Sequence, residues 1–342
     1  MKEATARRYE SLKARYRETR GRSMTLASRL EAEDQTVQSM PDASPTKWHL
    51  AHTTWFFETF LLKPHLKDYA VFHPRYGYLF NSYYEAEGTR HPRLERGLLT
   101  RPTLDEVLAY RAHVDRAMEG LLDQANVAPL VELGIHHEEQ HQELLLTDIL
   151  HLFSLNPLRP AYAPYPSAPA AKLAPLSWIA FPGGTLTVGA GETGFAFDNE
   201  RPRHDVLLRP YRLASRAVTN GEWQAFLAED GYARPELWLS DGWAWVQSEG
   251  IAAPLYWEER DGNWWAMTLS GFKPVEAASP VTHVSFYEAD AFARWAGKRL
   301  PLEAEWEAAA SPVLPLGNTL GSGLLRPLAA EGDGLCQLFG DV

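Results

Sequence analysis

A proline-rich stretch in the middle of the chain constrains its organisation most. Residues 156–175 hold six prolines, which alternate with alanine and tyrosine. Because proline fixes φ and lacks a backbone N–H donor, neither a regular helix nor a central strand can run through this segment. The stretch therefore predicts an extended linker between two domains, residues 1–155 and 176–342, and a length of 342 residues is typical of two domains.

The residues before the linker have mainly helical patterns. A charged, amphipathic segment covers about residues 4–31, and a second helix is predicted to begin with Ser44 as its N-cap and to stop before Pro64. Two more helices are predicted at about residues 102–122 and 129–153. Four helices of this length predict a bundle, which is a fold that builds metal sites from inward side chains of facing helices.

The residues after the linker alternate short apolar runs with glycine. This pattern predicts strands at 178–181, 183–189, 205–208 and 211–214. Helices are predicted at 219–229 and 285–296, opened by the caps Thr219 and Ser285, and a short one after Pro301. Most of the 12 tryptophans lie here, as suits a loop-rich domain. The predicted fold class is therefore α+β, a helical bundle followed by a mixed domain.

Composition excludes several classes of protein. The net charge of −11 and the lack of a long basic run argue against nucleic acid as a partner. No window approaches the roughly 18 apolar residues of a membrane span, and the N-terminus lacks the apolar region of a signal peptide. A single cysteine, Cys336, fits a reducing cytosol. We expect a cytoplasmic protein in which histidines and carboxylates would hold any metal.

Two histidines in the fourth predicted helix point to a metal site. His137 and His141 stand four residues apart and so share one helix face, which Leu133 and Leu144 continue toward a core. Two imidazoles on one face offer a metal two nitrogen ligands. A hydrated charged patch is the alternative, but the neighbouring glutamates mostly fall on other faces. His136 points about 100° away and is predicted to be structural.

A catalytic metal usually takes a third protein ligand, which should come from another helix of the bundle. His49 and His52 in the second helix are the candidates. His52 shares a stripe with aromatic residues, so spacing favours it over His49, although only slightly. Three neutral imidazoles suit a divalent metal with open positions, and both zinc hydrolysis and iron–oxygen chemistry remain possible.

Other polar residues could hold a substrate beside such a metal. Gln140 borders the histidine face and could bind a polar group, or it could be a surface residue. In the segment 81–97, Tyr83 and Tyr84 could donate a proton, and arginines could hold a carboxylate in bidentate pairs. Alternatively, the tyrosines pack the loop and the arginines are solvated. The arginines concerned are Arg90, Arg93 and Arg96.

Several motifs lie along the chain at residues 50–52, 80–86, 96–102, 137–149, 181–184, 198–202, 218–223, 280–285 and 295–307. Together they resemble the EgtB-type sulfoxide synthases of ergothioneine biosynthesis, the hercynine oxygenase family. The resemblance covers nearly the whole chain and implies a DinB-like four-helix bundle joined to a domain similar to formylglycine-generating enzymes, of C-type-lectin-like fold.

The resemblance implies an Fe(II) enzyme that uses O2 to join the sulfur of cysteine or γ-glutamylcysteine to imidazole C2 of hercynine as a sulfoxide. The family's three iron-binding histidines correspond to His52, His137 and His141, and its imidazole-binding glutamine to Gln140. The pair Tyr83–Tyr84 is similar to that of the branch that takes free cysteine, with Tyr84 assisting oxygen chemistry. Arg93 and Arg96, with Arg90 as the other candidate, would hold the carboxylate of the sulfur donor.

One departure is that family members typically continue beyond the position of Val342, so the second domain is expected to be incomplete. Alternatives are an ovothiol- or selenoneine-type synthase, a truncated non-catalytic metal-binding module and, more weakly, a zinc hydrolase. Formylglycine generation is not expected, because that chemistry needs reactive cysteines and only Cys336 is present.

Overall fold

The computed structural model describes residues 12–164, apart from the side chain of Glu85, and residues 173–341. Two compact units divide between Tyr162 and Ala163. Part of the predicted linker (165–172) and part of the first predicted helix (4–11) lie outside the described residues. The first unit is helical and the second is mixed, which confirms the predicted α+β class.

In the described part of the first unit, four long helices pack together. Helix α2 is buried along its whole length, and it packs against both α3 and α4, while α1 packs on α4. The core between them is largely aromatic. The helices are α1 (Leu12–Ala27), α2 (Thr46–Phe57), α3 (Leu104–Met118) and α4 (Ala128–Leu155), with a short helix at Tyr76–Phe80 and 3₁₀ turns at Glu85–Glu87 and Arg93–Leu98.

The predicted ends of α2 were both wrong. Its N-cap is Pro45, without a side-chain cap bond. Ser44 instead accepts a hydrogen bond from Arg96 through its hydroxyl and donates one to Asp148 through its backbone N–H. At the other end, a π-helical turn (Glu58–Leu62) leads into a helical turn at Lys63–His65 that contains Pro64. A proline is tolerated there because the first turn of a helix leaves its N–H groups unpaired anyway.

A buried ionic cluster fixes α4 against its neighbours. The carboxylate of Glu138, which is 1% exposed, accepts hydrogen bonds from Arg20 (2.9 Å), Arg111 (2.6 Å) and Ser23 (2.6 Å). Burial opposes ionisation, but the two guanidinium groups prevail and lower the pKa of Glu138 to about 2. The cluster therefore sets the rotation of α4, and with it the direction in which the adjacent His137 points.

The second unit contains three small antiparallel sheets. Strand β1 (Trp178–Phe181) pairs with β4 (Tyr211–Ala214), with Trp178 opposite Ala214. Strand β2 (Gly184–Val188) pairs with β3 (His204–Leu208), with Gly184 opposite Leu208. The third sheet is the meander β5 (Trp257–Arg260), β6 (Asn263–Thr268) and β7 (Gly271–Pro274), in which Trp257 lies opposite Ala266 and Trp265 opposite Pro274.

Four helices complete the second unit. Capping boxes at Thr219 and Ser285 open two of them as predicted, because each hydroxyl accepts from the backbone of a glutamate three residues on. An aromatic core forms around Trp223, Phe226 and Phe292. The helices are α5 (Asn220–Ala228), α6 (Ser240–Glu249), α7 (Phe286–Trp295) and α8 (Glu303–Ala310), with 3₁₀ turns at Asp198–Glu200, Gly231–Ala233, Pro235–Leu237 and Leu320–Ser322. In the described parts of the chain, no helix is long and apolar enough to cross a bilayer.

Candidate metal centre

Three histidines from two facing helices converge in the bundle. His52 comes from α2, and His137 and His141 come from successive turns of α4. One nitrogen from each ring lies within 4.8 Å of those of the other two. The ring centroids are 4.7 to 5.0 Å apart. Among the described residues this is a group of side chains that could hold a metal ion, and it contains the three histidines predicted for that role.

Hydrogen bonds leave nitrogen lone pairs facing the centre of the cluster. Nδ1 of His52 lies 2.6 Å from the carbonyl oxygen of Phe80, to which it can only donate, so its Nε2 carries no proton. That Nε2 lies 3.2 Å from Nε2 of His137. Two nitrogens bound to one metal at about 2.1 Å are roughly 3.0 to 3.4 Å apart at octahedral or tetrahedral angles. The spacing therefore fits a shared cation.

The environment keeps these imidazoles neutral. Burial lowers the pKa of His137 to about 4. Burial, followed by the neighbouring histidines, holds the pKa of both His52 and His141 well below the usual value. Neutral imidazole is the form that binds a metal. His52 is almost fully buried, whereas His137 and His141 keep some exposure, so the cluster is open on one side.

His49 does not belong to the three-histidine group, but it touches it. Its Nδ1 lies 2.8 Å from Nδ1 of His141, and its Nε2 lies 2.9 Å from a carboxylate oxygen of Asp148. Sequence reasoning weighed His49 as a ligand and did not consider Asp148. The sequence nevertheless contained a signal for this pair. His49 and His52 are three residues apart and share a face of α2, and Asp148 follows His141 by two turns on the same face of α4.

Arg96 is a buried cation beside the cluster. Its guanidinium lies 3.4 Å from the ring centroid of Trp48, and the same indole stacks on His52 at 4.6 Å. It donates to the hydroxyls of Ser44 (2.9 Å) and Ser82 (3.1 Å) and forms no ion pair with a carboxylate of the described residues. Burial lowers its pKa to about 10. An unneutralised buried guanidinium is a natural partner for an anion.

The other predicted residues of the loop differ in their surroundings. Tyr84 is half-buried against Phe60 and Phe56, and Phe56 also contacts the ring of His137. Burial raises the pKa of Tyr84, so its phenol stays protonated at neutral pH. Tyr83 is 67% exposed. It accepts a hydrogen bond from Arg93 at 2.5 Å, and the guanidinium of Arg90 lies 5.8 Å from its ring.

Two residues of α4 flank the histidine pair. Gln140 is exposed, one position before His141, and its side chain forms no hydrogen bond with a described residue. His136, predicted to be structural, lies 3.2 Å from a guanidinium nitrogen of Arg15 and 3.1 Å from the carboxylate of Glu139. It therefore interacts away from the three-histidine group.

Comparison with known families matches both units. Residues 15–153 match the DinB superfamily, and residues 166–320 match the sulfatase-modifying factor enzyme 1-like domain. The second unit alone is also similar to the formylglycine-generating enzyme of Streptomyces coelicolor, at 35% identity over 44% of this chain and 52% of that protein.

Two relatives that match both units together are both hercynine oxygenases. The chain is 33% identical to hercynine oxygenase of Mycolicibacterium smegmatis over 89% of its length and 69% of the relative. It is 32% identical to hercynine oxygenase of Mycobacterium tuberculosis, over 88% of its length and 69% of the relative. Since one alignment carries both the helical unit with its three histidines and the mixed unit, the chain belongs to the hercynine oxygenase family of oxidoreductases.

Proposed function

We propose that the protein is a non-haem Fe(II)-dependent sulfoxide synthase that joins hercynine to cysteine or γ-glutamylcysteine. The observation that carries the proposal is the convergence of His52, His137 and His141 in a chain of this family. In the reaction, the C2–H of the imidazole and the S–H of the thiol are lost and a C–S bond forms. O2 accepts four electrons, with one oxygen atom ending in the sulfoxide and the other in water.

The three histidines would hold the iron through imidazole nitrogens. These ligands suit a divalent ion, because neutral imidazoles do not offset its positive charge and three ligands leave other coordination positions open. When bound, iron would offer those open positions to the reactants and would transfer electrons to O2. The buried Nδ1 of His137 has no hydrogen-bond partner among the described residues, and the ring packs against Phe56.

Arg96 would bind the carboxylate of the sulfur donor. Its guanidinium is buried and, among the described residues, donates hydrogen bonds only to neutral hydroxyls. It stacks on the same indole as His52, which places the positive charge next to the cluster. A carboxylate held there would direct the thiol of a small amino acid toward the histidines and supply proximity. Arg93 and Arg90 would add positive charge at the exposed side of the same loop.

Tyr84 and Gln140 would act on the reacting groups. The raised pKa of Tyr84 keeps a proton on the phenol, so it would serve as a proton donor during O2 reduction. The exposed amide of Gln140 would hydrogen-bond the imidazole of hercynine, which needs both a donor and an acceptor. Tyr83 would contribute by holding Arg93 through its hydroxyl.

The decisive experiment is mass spectrometry of aerobic reactions of the Fe(II)-loaded protein with hercynine plus cysteine, and separately plus γ-glutamylcysteine. We expect hercynyl-cysteine sulfoxide or its γ-glutamyl form, with one oxygen from O2 when ¹⁸O2 is used. An anaerobic reaction and the His137→Ala protein are the controls, and both should yield no sulfoxide. His137→Ala should also lose stoichiometric iron.

Other outcomes would identify the alternatives. Stoichiometric iron without any sulfoxide would contradict the proposal and indicate a metal-binding module. Turnover with histidine or a selenium donor in place of these substrates would indicate an ovothiol- or selenoneine-type synthase. Hydrolytic activity that persists without O2 in zinc-loaded protein would indicate a zinc hydrolase.

A further inference from the structure

A chain of hydrogen bonds leads outward from the histidine cluster to a carboxylate. It runs from Nδ1 of His141 to Nδ1 of His49 (2.8 Å), and from Nε2 of His49 to Asp148 (2.9 Å). The same carboxylate oxygen accepts the backbone N–H of Ser44 (2.8 Å). His49 is 4% exposed and the Asp148 side chain 13%, so these bonds are shielded from water.

For a neutral His49, the carboxylate at one end of this series of hydrogen bonds assigns every proton in it. An ionised carboxylate only accepts hydrogen bonds, so Nε2 of His49 must donate to Asp148. A neutral His49 then has a bare Nδ1, which must accept from Nδ1–H of His141. His141 therefore carries its proton on Nδ1, and its Nε2 presents a lone pair. The reverse arrangement would put a proton on Nε2 of His141 and close that nitrogen to a metal.

We propose that His49 and Asp148 are a positioning pair that fixes the tautomer and the ring orientation of His141 for metal binding. The inference rests on the proposed metal site, but not on the identity of the substrates. Ligating histidines generally donate their second N–H to a fixed acceptor, and losing such a partner typically weakens metal binding 10- to 100-fold. Here the acceptor is a second histidine, which Asp148 orients in turn.

The pair also connects the cluster with Arg96. The backbone N–H of Ser44 binds Asp148, and its hydroxyl accepts from Arg96. Ser44 thus links Asp148, which orients His49, with the buried guanidinium of Arg96. This explains why Ser44 does not cap α2: its N–H and hydroxyl are both engaged by residues distant in sequence.

The test is Co(II) binding to the whole chain, followed by the ligand-field absorption of the complex. His49→Phe keeps a ring of similar size but removes both hydrogen bonds, and should weaken Co(II) binding at least 10-fold at unchanged stoichiometry. His49→Gln can still accept from His141 and donate to Asp148, so it should regain most of the affinity. Asp148→Ala should weaken binding in the same direction as His49→Phe.

A second readout separates positioning from a general structural effect. In the Co(II) complex, NMR should show slowly exchanging, hyperfine-shifted N–H signals of His52, bonded to Phe80, and of His141. His49→Phe should lose or speed the exchange of the His141 signal and leave that of His52. His151→Gln, a change at another histidine of α4, is the matched control and should alter neither signal. Circular dichroism and thermal unfolding check that each variant is folded.

Wild-type affinity and an intact His141 N–H signal in folded His49→Phe would overturn the proposal, whatever the enzyme's reaction proves to be. Conversely, if the wild-type protein binds Co(II) and the variants behave as expected but no sulfoxide is ever formed, the positioning pair stands and the proposed function fails.

Discussion

At the scale of single residues, the site combines buried imidazoles whose nitrogen atoms face one another with a buried cation. His52, His137 and His141 are neutral because they are buried, and Arg96 is a cation without a carboxylate partner among the described residues. Such combinations are costly in free energy, and a bound metal and a bound anion would each relieve part of that cost.

Replacing the buried guanidinium should affect one substrate more than the other. Arg96→Met removes charge-assisted hydrogen bonds worth about 1.5–3 kcal/mol, so we expect KM for the sulfur donor to rise roughly 10- to 100-fold. KM for hercynine should change little. Steady-state kinetics with each substrate varied in turn tests this, with Arg116→Met, at an exposed position of α3 outside the proposed site, as control. An equal rise in both KM values would mean that Arg96 does not bind the donor specifically.

The phenol of Tyr84 is expected to determine which product forms and to have no effect on the iron content. Tyr84→Phe removes the proton donor but keeps the ring that packs against Phe60, so iron content should remain stoichiometric. The product should shift from sulfoxide toward oxidised thiol, as measured by mass spectrometry. Tyr78→Phe, at a tyrosine that packs on His91 and has no proposed role in the reaction, is the matched control. An unchanged sulfoxide yield in Tyr84→Phe would remove Tyr84 from the mechanism.

At the scale of secondary-structure elements, the position of α4 on α2 sets the geometry of the cluster. Gly134 allows the close approach, since a Cβ atom there would lie 2.5 Å from the ring of Phe57 and 3.0 Å from that of Phe56. Phe56 in turn contacts His137. Bulk at position 134 would therefore move the two helices apart where the ligands face each other.

Gly134→Ala should destabilise the protein although alanine favours helices. Overpacking costs about 1–3 kcal/mol, which exceeds the roughly 1 kcal/mol gained in helix propensity. We expect a lower free energy of unfolding in urea and weaker metal binding. Gly21→Ala in α1 is the control, since no atom lies within 4 Å of a Cβ there, and it should be neutral or stabilising. Wild-type stability and metal affinity in Gly134→Ala would show that the helices can adjust freely.

At the scale of the whole molecule, the chain folds into two units, and all three clustered histidines belong to the first. We expect calorimetry of the whole chain to show two unfolding transitions. Metal at about 100 times its Kd adds roughly 2.7 kcal/mol to the native state, which corresponds to a rise of about 5–10 °C for a unit of this size. Only one transition should shift.

The outcome tests both the assignment of the site and the independence of the units. His137→Ala should abolish the shift without removing either transition. A shift of both transitions, or one transition for the whole chain, would show that the stabilities of the two units are coupled.

Local sequence patterns were enough to predict most of the helices and strands. The capping boxes at Thr219 and Ser285 are formed by residues three apart, so the sequence displays the complete interaction. The spacing of His137 and His141 likewise places both rings on one face of a single helix. The three-stranded sheet was missed although Asp261-Gly262, both at positive φ, provides a hairpin turn between β5 and β6.

The sequence was enough to predict the α+β class and two histidines on one helix face as candidate metal ligands. Its motifs also indicated the family. Spacing alone left both His52 and His49 open as the third ligand, and the family resemblance assigned His52. The tertiary structure added the contacts of His49 with His141 and Asp148, which depend on where α4 lies against α2. The same holds for Ser44, whose partners Arg96 and Asp148 are 52 and 104 residues away. Periodicity reports interactions within one helix or strand, whereas contacts between elements depend on how their faces pack.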